Sequence, residues 1–174
     1  SVLRTIIDFI GPSVRDGFEL FSDLLSLTTG HGSVFPQDVI VTTQKPDIVL
    51  INRDAKCILI FELTCPWDTN VDKGHKYKND KYAALVSDLS DHFKVDLYCV
   101  EISVRGQVSK ANKARMKSFL LKSTGLVRGK TIGLINNISK ASLLCSFGIF
   151  CARDETVWNN QNQLENFIIP ITLA

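Results

Sequence analysis

KPDIVLINRDAKCILIFELTCPW, residues 45–67, holds two apolar runs on either side of a polar turn. Short runs rich in β-branched and aromatic residues and bounded by turn residues read as strands, so the stretch predicts a β-hairpin. In KCILIFEL alternate side chains face opposite sides: Ile58, Ile60, Glu62 and Thr64 share one face, and Cys57, Leu59, Phe61 and Leu63 the other. A strand apolar on both faces is a buried one, and an ionised carboxylate near its end is costly unless a cation or hydrogen-bond donors meet it. The antiparallel partner opens with Asp47. Pairing therefore brings the start of one strand beside the end of the other, and two carboxylates converge.

Outward from the hairpin, DVIVTT (38–43) adds a third strand-like run. Upstream, SVRDGFELFSDLLSL (13–27) places Val14, Phe18, Phe21 and Leu25 at helical spacing and predicts a first helix carrying Glu19; TTGHGSVFP then breaks the pattern. Downstream, CPWDTN is a helix-capping signal. It precedes VDKGHKYKNDKYAALVSDLSDHF (71–93), where Lys78, Tyr82, Leu85 and Leu89 recur at helical spacing on a helix that is polar at its start and apolar further on. KVDLYCVEIS (94–103) predicts a strand, VSKANKARMKSFLLKS (108–123) a basic helix, INNISKASLLCSFGIFCAR (135–153) an apolar helix, and ENFIIPITLA an irregular or strand-like tail. Helix, strands, helix, strand, helix, helix argues an α/β or α+β fold, one domain over residues 1–174 with a central mixed sheet flanked by helices.

With 45% hydrophobic and 22% charged residues, the 174-residue chain can bury a core and does not resemble a disordered segment. No stretch approaches the roughly 18 apolar residues of a membrane span, and SVLRTIIDFIGPSVRD lacks the marks of a signal peptide. The expectation is a soluble, intracellular protein without a membrane partner. A first residue of Ser rather than Met suggests a piece excised from a longer polypeptide. The five cysteines show no CxxC pair and no His at zinc-ligand spacing, so they read as buried free thiols in a reducing compartment.

The net charge of +2 conceals an asymmetry. Residues 1–101 carry 10 Lys and Arg against 15 Asp and Glu, residues 102–153 carry 10 against none, and residues 154–174 carry none against 3. A one-signed block of this kind attracts polyanions such as nucleic acid, although a solvated helix face that only confers solubility has the same composition.

Two carboxylates held close repel unless a cation sits between them, and oxygen ligation by one or two acids plus water and phosphate suits Mg²⁺ and also Mn²⁺. On spacing alone the alternative stands level, in which Asp47 caps a turn and Glu62 makes an ion pair. The next helix adds Lys78, Lys81 and Tyr82 on one face. An ammonium near such a centre orients an attacking water and offsets charge in the transition state of phosphate-ester hydrolysis.

Pro46-Asp47, then 14 residues, then Glu62-Leu63-Thr64, Pro66, and Lys78-x-x-Lys81-Tyr82 resembles the PD-(D/E)XK nuclease pattern, in the form found in the restriction-like endonuclease domain of site-specific non-LTR retrotransposons. Val100-Glu101-Ile102-Ser103-Val104-Arg105-Gly106 is similar to a strand end of that family, and the likeness covers residues 36–155. It implies a restriction-endonuclease-like fold and a Mg²⁺-dependent (or Mn²⁺-dependent) nuclease that nicks DNA. Asp47 and Glu62 would be the metal ligands with Thr64 beside them, and Lys78, Lys81 and Tyr82 would complete the catalytic group. Thr64 stands where the general pattern has its lysine, and in the retrotransposon branch the helix supplies it, here Lys78 in preference to Lys81. Arg105, Lys110, Lys113, Arg115 and Lys117 would grip DNA phosphates. A reverse transcriptase elsewhere in a polyprotein and a nuclear location are implied as well. The rival expectations are a nuclease-like fold kept only to bind DNA or protein, and an RNA-processing nuclease.

Other residues have plainer readings. Glu19 is a solvent-exposed helix acid or a further acid near the metal, and Glu101 faces the site or pairs with Arg105. His31, His75 and His92 take surface roles by default, His75 being near enough the helix start to approach the metal site. Trp67 and Trp158 belong to core or interface.

Overall fold

In a computed structural model the described residues are 2–24, 35–125 and 128–152. Four strands form one sheet in the order β1-β2-β3-β4: β1 (Glu19–Ser22), β2 (Ile48–Asn52), β3 (Cys57–Thr64) and β4 (Lys94–Glu101). The β1–β2 and β2–β3 pairs are antiparallel, whereas β3 and β4 are parallel and are joined through helix α2 (Val71–Ser90). The other helices are α1 (Val2–Ile10), α3 (Lys110–Thr124) and α4 (Arg128–Ala152). The fold is thus the expected mixed α/β type with a mixed central sheet between helices.

Strand alternation sorts the core into two layers. Ile48, Leu50, Leu59, Phe61, Tyr98, Val100 and Ile102 pack against α1, α3 and α4. Val49, Ile51, Ile58 and Ile60 face the other way onto Tyr82, Leu85 and Leu89 of α2. Each of β2 and β3 is therefore covered on both sides, which explains their continuous apolar runs. The hairpin turn is closed by Asn52 Oδ1, which accepts from the Ala55 N–H at 2.8 Å. Ser109 caps α3 by accepting the Asn112 N–H at 3.1 Å, and Gly125 ends it in the left-handed conformation.

Several expectations change. The segment expected as the first helix contains β1 instead. Gly17 has φ +86, which breaks a right-handed helix, and the alternating Leu20 and Phe21 then serve the two core layers by pairing with β2. Glu19 is accordingly a strand residue, bonded to Arg53 at 2.9 Å and remote in role from the acids of the hairpin end. DVIVTT is no strand: the N–H groups of Val39 and Ile40 turn back onto Pro36 O, and Val41 is exposed. Asn70 begins α2 without a side-chain cap, the entry being a short 3-10 turn over Asp68–Asn70. Helix α1 lies outside the elements that the sequence predicts; Val2, Ile6, Ile7 and Ile10 bury its inner face.

Helix α4 also departs from expectation. Its stretch Gly129–Cys151 is long and apolar enough, by length and composition, to cross a membrane; interspersed Gly, Asn and Ser hide this from a count of uninterrupted apolar residues. In the fold, Leu134, Ile135 and Ile138 of this helix lie buried in the core. The five cysteines are free, yet only Cys99 is buried; Cys57 and Cys145 are half-buried, and Cys65 and Cys151 are exposed. The expected tail ENFIIPITLA, together with Leu25, His31 and Trp158, lies outside the described residues.

Candidate active site

The register Ile48↔Phe61 sets Asp47 opposite Glu62 at the open end of the hairpin, on the α2 face of the sheet. The two residues clasp each other's strand. Asp47 N–H donates to Glu62 Oε2 at 3.2 Å, and Asp47 Oδ2 accepts from Leu63 N–H at 2.7 Å. Ser22 on β1 holds the Asp47 carbonyl at 2.7 Å. The predicted convergence of the two carboxylates is thus present.

Helix α2 delivers the remaining groups. Glu62 is 3% exposed, so its charge must be met within the protein. Lys78 Nζ donates to Glu62 Oε1, and the wholly buried Tyr82 donates its hydroxyl to Glu62 Oε2 at 3.0 Å. Lys81 is the outer lysine: exposed, with its ammonium 3.0 Å from the Tyr82 hydroxyl and 4.6 Å from the centre of that ring. Lys78 therefore touches the buried acid and Lys81 touches it only through Tyr82. The buried Tyr82 is removed from any direct contact with a bulky ligand.

The electrostatics follow from burial. Asp47 is pushed up to about 6, first by burial and then by the Glu62 charge. Burial opposes the charge on Lys78, but the hydrogen bond and charge of Glu62, with Asp47 beyond, hold its ammonium above the usual range. Burial and the same carboxylates keep the Tyr82 phenol protonated. The centre is acid-rich, with one ammonium partly offsetting two carboxylates.

Among the described residues no group of three or more His, Cys, Asp or Glu side chains is placed to hold a metal ion. The donor set at the hairpin end is smaller: two carboxylates and the Thr64 hydroxyl, whose Oγ1 is buried without a hydrogen-bond partner. Thr64 follows Glu62 by two residues on the same strand face, so an oxygen-rich, under-satisfied corner forms there. Such a set suits a hard cation that keeps most of its waters, which is the habit of Mg²⁺.

A second buried acid stands beside this corner. Glu101, 1% exposed, pairs in register with Thr64 at the end of β4. It does not pair with Arg105, which instead bonds Asp68. Its Oε1 lies 3.0 Å from His75 Nδ1, and Arg115 Nη1 lies 3.7 Å from its Oε2. His75 is thereby a half-buried partner of the sheet and not a surface residue. Glu101 carries the same signal as Glu62, an acid at the end of an apolar strand; its partners come from two helices distant in sequence.

The basic residues divide. Arg105, Lys110 and Lys113 are exposed and Lys117 is half-exposed; Lys110, Lys113 and Lys117 follow one another along a side of α3 away from buried Met116, Phe119 and Leu120. Arg115 turns inward, donating to Asn112 Oδ1 at 2.7 Å beside Glu101, and contributes to the framework instead of the outer surface. Trp67 is 68% exposed, which removes the core half of its core-or-interface reading.

No protein-family model matches the chain, and no curated protein matches it.

Proposed function

We propose that the chain is a metal-dependent phosphodiesterase of nucleic acid. More narrowly, it is an endonuclease of PD-(D/E)XK type that nicks DNA, like the domain its motifs resemble in non-LTR retrotransposons. The single observation that carries the reading is the meeting of Asp47, Glu62 and Lys78 at one sheet end, from two strands and a helix, with Glu62 buried and Lys78 bonded to it. A fold that needed only stability gains little from such a centre, because a buried ion pair seldom outweighs its desolvation.

Asp47 and Glu62, with the Thr64 hydroxyl beside them, would hold Mg²⁺ or Mn²⁺. A bound divalent ion supplies positive charge that polarises a phosphate and acidifies a water. Within the protein, Tyr82 and Asp47 N–H fix the Glu62 carboxylate, and Lys78 sets a positive charge where a phosphorane-like transition state gathers negative charge. The lysines of α3 would hold the DNA backbone without reading bases. The resemblance extends the proposal to the nucleus as the place of action and to a reverse transcriptase as partner within one polyprotein.

Plasmid nicking with Mg²⁺ or Mn²⁺ tests the reading. Wild type should convert supercoiled to open-circular DNA, and Asp47→Ala or Glu62→Ala should not. Equal cutting by these variants refutes the assignment. DNA binding without cutting under either metal identifies a binding module, and cutting of RNA alone identifies an RNA nuclease.

A further inference from the structure

Because the reading above commits Asp47 to a metal, hydrolysis at this centre calls for a further group to take the proton of the attacking water. Glu62 accepts on both oxygens, from Lys78 and from Tyr82 with Asp47 N–H. Lys78 is an ammonium donating to a carboxylate and has no lone pair. A neutral acceptor is present one helical turn away. His75, Lys78, Asn79 and Tyr82 share the face of α2 that lies over the sheet, and β3 and β4 run in register beneath them. Strand spacing puts the Cα atoms of Glu62 and Glu101 about 8 Å apart.

The hydrogen bonds around His75 fit one tautomer of the neutral ring. Glu101 is a buried carboxylate with Arg115 Nη1 3.7 Å from its Oε2, an oxygen that has no hydrogen-bond partner. In that form Nδ1–H donates to Glu101 Oε1 at 3.0 Å, which leaves Nε2 with its lone pair. Asn79 agrees with this tautomer: its amide donates to Nε2 at 3.1 Å and to the His75 carbonyl at 2.8 Å. Behind them, Asn112 ties the Glu101 carbonyl to α3 at 2.9 Å, so the acid is held from main chain and side chain alike.

We propose that His75, oriented by Glu101, is the general base of the hydrolysis, an inference that rests on the nuclease reading above. Water displaces the Asn79 amide from Nε2 and attacks phosphorus. The new P–O bond forms as the bond from phosphorus to the leaving nucleoside oxygen breaks. The water proton passes to Nε2, and the leaving oxygen takes its proton from solvent. His75 is the catalytic residue and Glu101 the positioning residue, in the division of labour found wherever a carboxylate fixes the tautomer of a working imidazole.

The test is plasmid nicking by wild type, His75→Ala, His75→Gln and Glu101→Gln, with added imidazole as a second arm. The glutamine at position 75 can still donate to Glu101 and so preserves the fold. Both His75 variants should lose on the order of 100-fold in rate. Imidazole, which can enter because His75 is 29% exposed at its side chain, should restore at least part of the His75→Ala rate and none of the Glu101→Gln loss. The thermal shift on adding Mn²⁺ should match wild type in every His75 variant. The proposal is overturned if His75→Gln cuts at the wild-type rate, or if the His75 variants lose activity together with the Mn²⁺ shift and imidazole restores nothing. If wild type itself cuts under neither metal while remaining folded, the nuclease reading fails first and the dyad's role with it.

Discussion

Asp47 and Glu62 hold one another's strand ends: the Asp47 N–H donates to Glu62 Oε2 at 3.2 Å, and the N–H of Leu63, next to Glu62, donates to Asp47 Oδ2 at 2.7 Å. The bonds lock the hairpin register at the point where two negative charges oppose it. The site is therefore built against electrostatic cost, and its consequences can be measured.

The pH dependence of stability should expose Asp47. Its folded value near 6 lies above the ordinary 3.8, so the protonated form favours the fold. That contribution is fully present below about pH 3.8 and is lost as pH rises through about 6, leaving the metal-free protein destabilised at neutral pH by on the order of 3 kcal/mol. Asp47→Asn keeps an acceptor for Leu63 N–H and removes the titration. Urea unfolding at pH 5 and pH 7.5 should show the variant gaining on wild type at the higher pH; parallel curves would sink the idea. Mn²⁺ should raise the Tm of wild type and leave Asp47→Asn nearly unmoved.

The two lysines should separate. Lys78→Met strands the buried Glu62 charge, and breaking such a pair costs about 3 kcal/mol with near-complete loss of nicking. Lys81→Ala removes an exposed ammonium that reaches Glu62 only through Tyr82, so stability should change by less than about 1 kcal/mol. Nicking rates and urea midpoints on both variants decide the matter, and a larger rate loss at Lys81 would reverse the assignment.

DNA affinity should depend on α3. Changing Lys110, Lys113 and Lys117 together to Ala should weaken binding by a similar factor for unrelated sequences. For every DNA phosphate left without its lysine, the plot of log K against log salt should flatten by about 0.9. Fluorescence anisotropy across a salt series reads both quantities, while the urea midpoint should hold because these side chains lie outside the core. An unchanged slope would remove α3 from the interface.

Gly106→Ala should be among the most damaging single changes. Gly106 has φ +75, and an added Cβ would stand 2.4 Å from the Ser139 carbonyl oxygen of α4. Its own carbonyl accepts from the Ser139 hydroxyl, so the loop after β4 is pressed onto α4. A loss of at least about 2 kcal/mol, read by thermal unfolding, is expected; a drop below about 0.5 kcal/mol would mean that the loop gives way.

The sequence by itself determined β2, β3, α2 and the convergence of Asp47 with Glu62. Those features rest on local periodicity and on a hairpin whose partners are adjacent in the chain, so alternation alone sets which side chains face together. Periodicity also foretold β4, α3 and most of α4, while tertiary structure decided other features. It made ELFS a strand, because β2 offered an open edge and Gly17 broke the competing helix. It set Lys78 on the buried acid, as the sequence reading favoured, and Lys81 outside it, because a helix's rotation about its axis is set by what packs beneath it, here Tyr82, Leu85 and Leu89 on the sheet. It also joined Glu101 to His75 and Arg115, groups from β4, α2 and α3 whose meeting depends on a parallel crossover. Spacing along a chain records local neighbours, whereas a buried charge must find its partners in three dimensions.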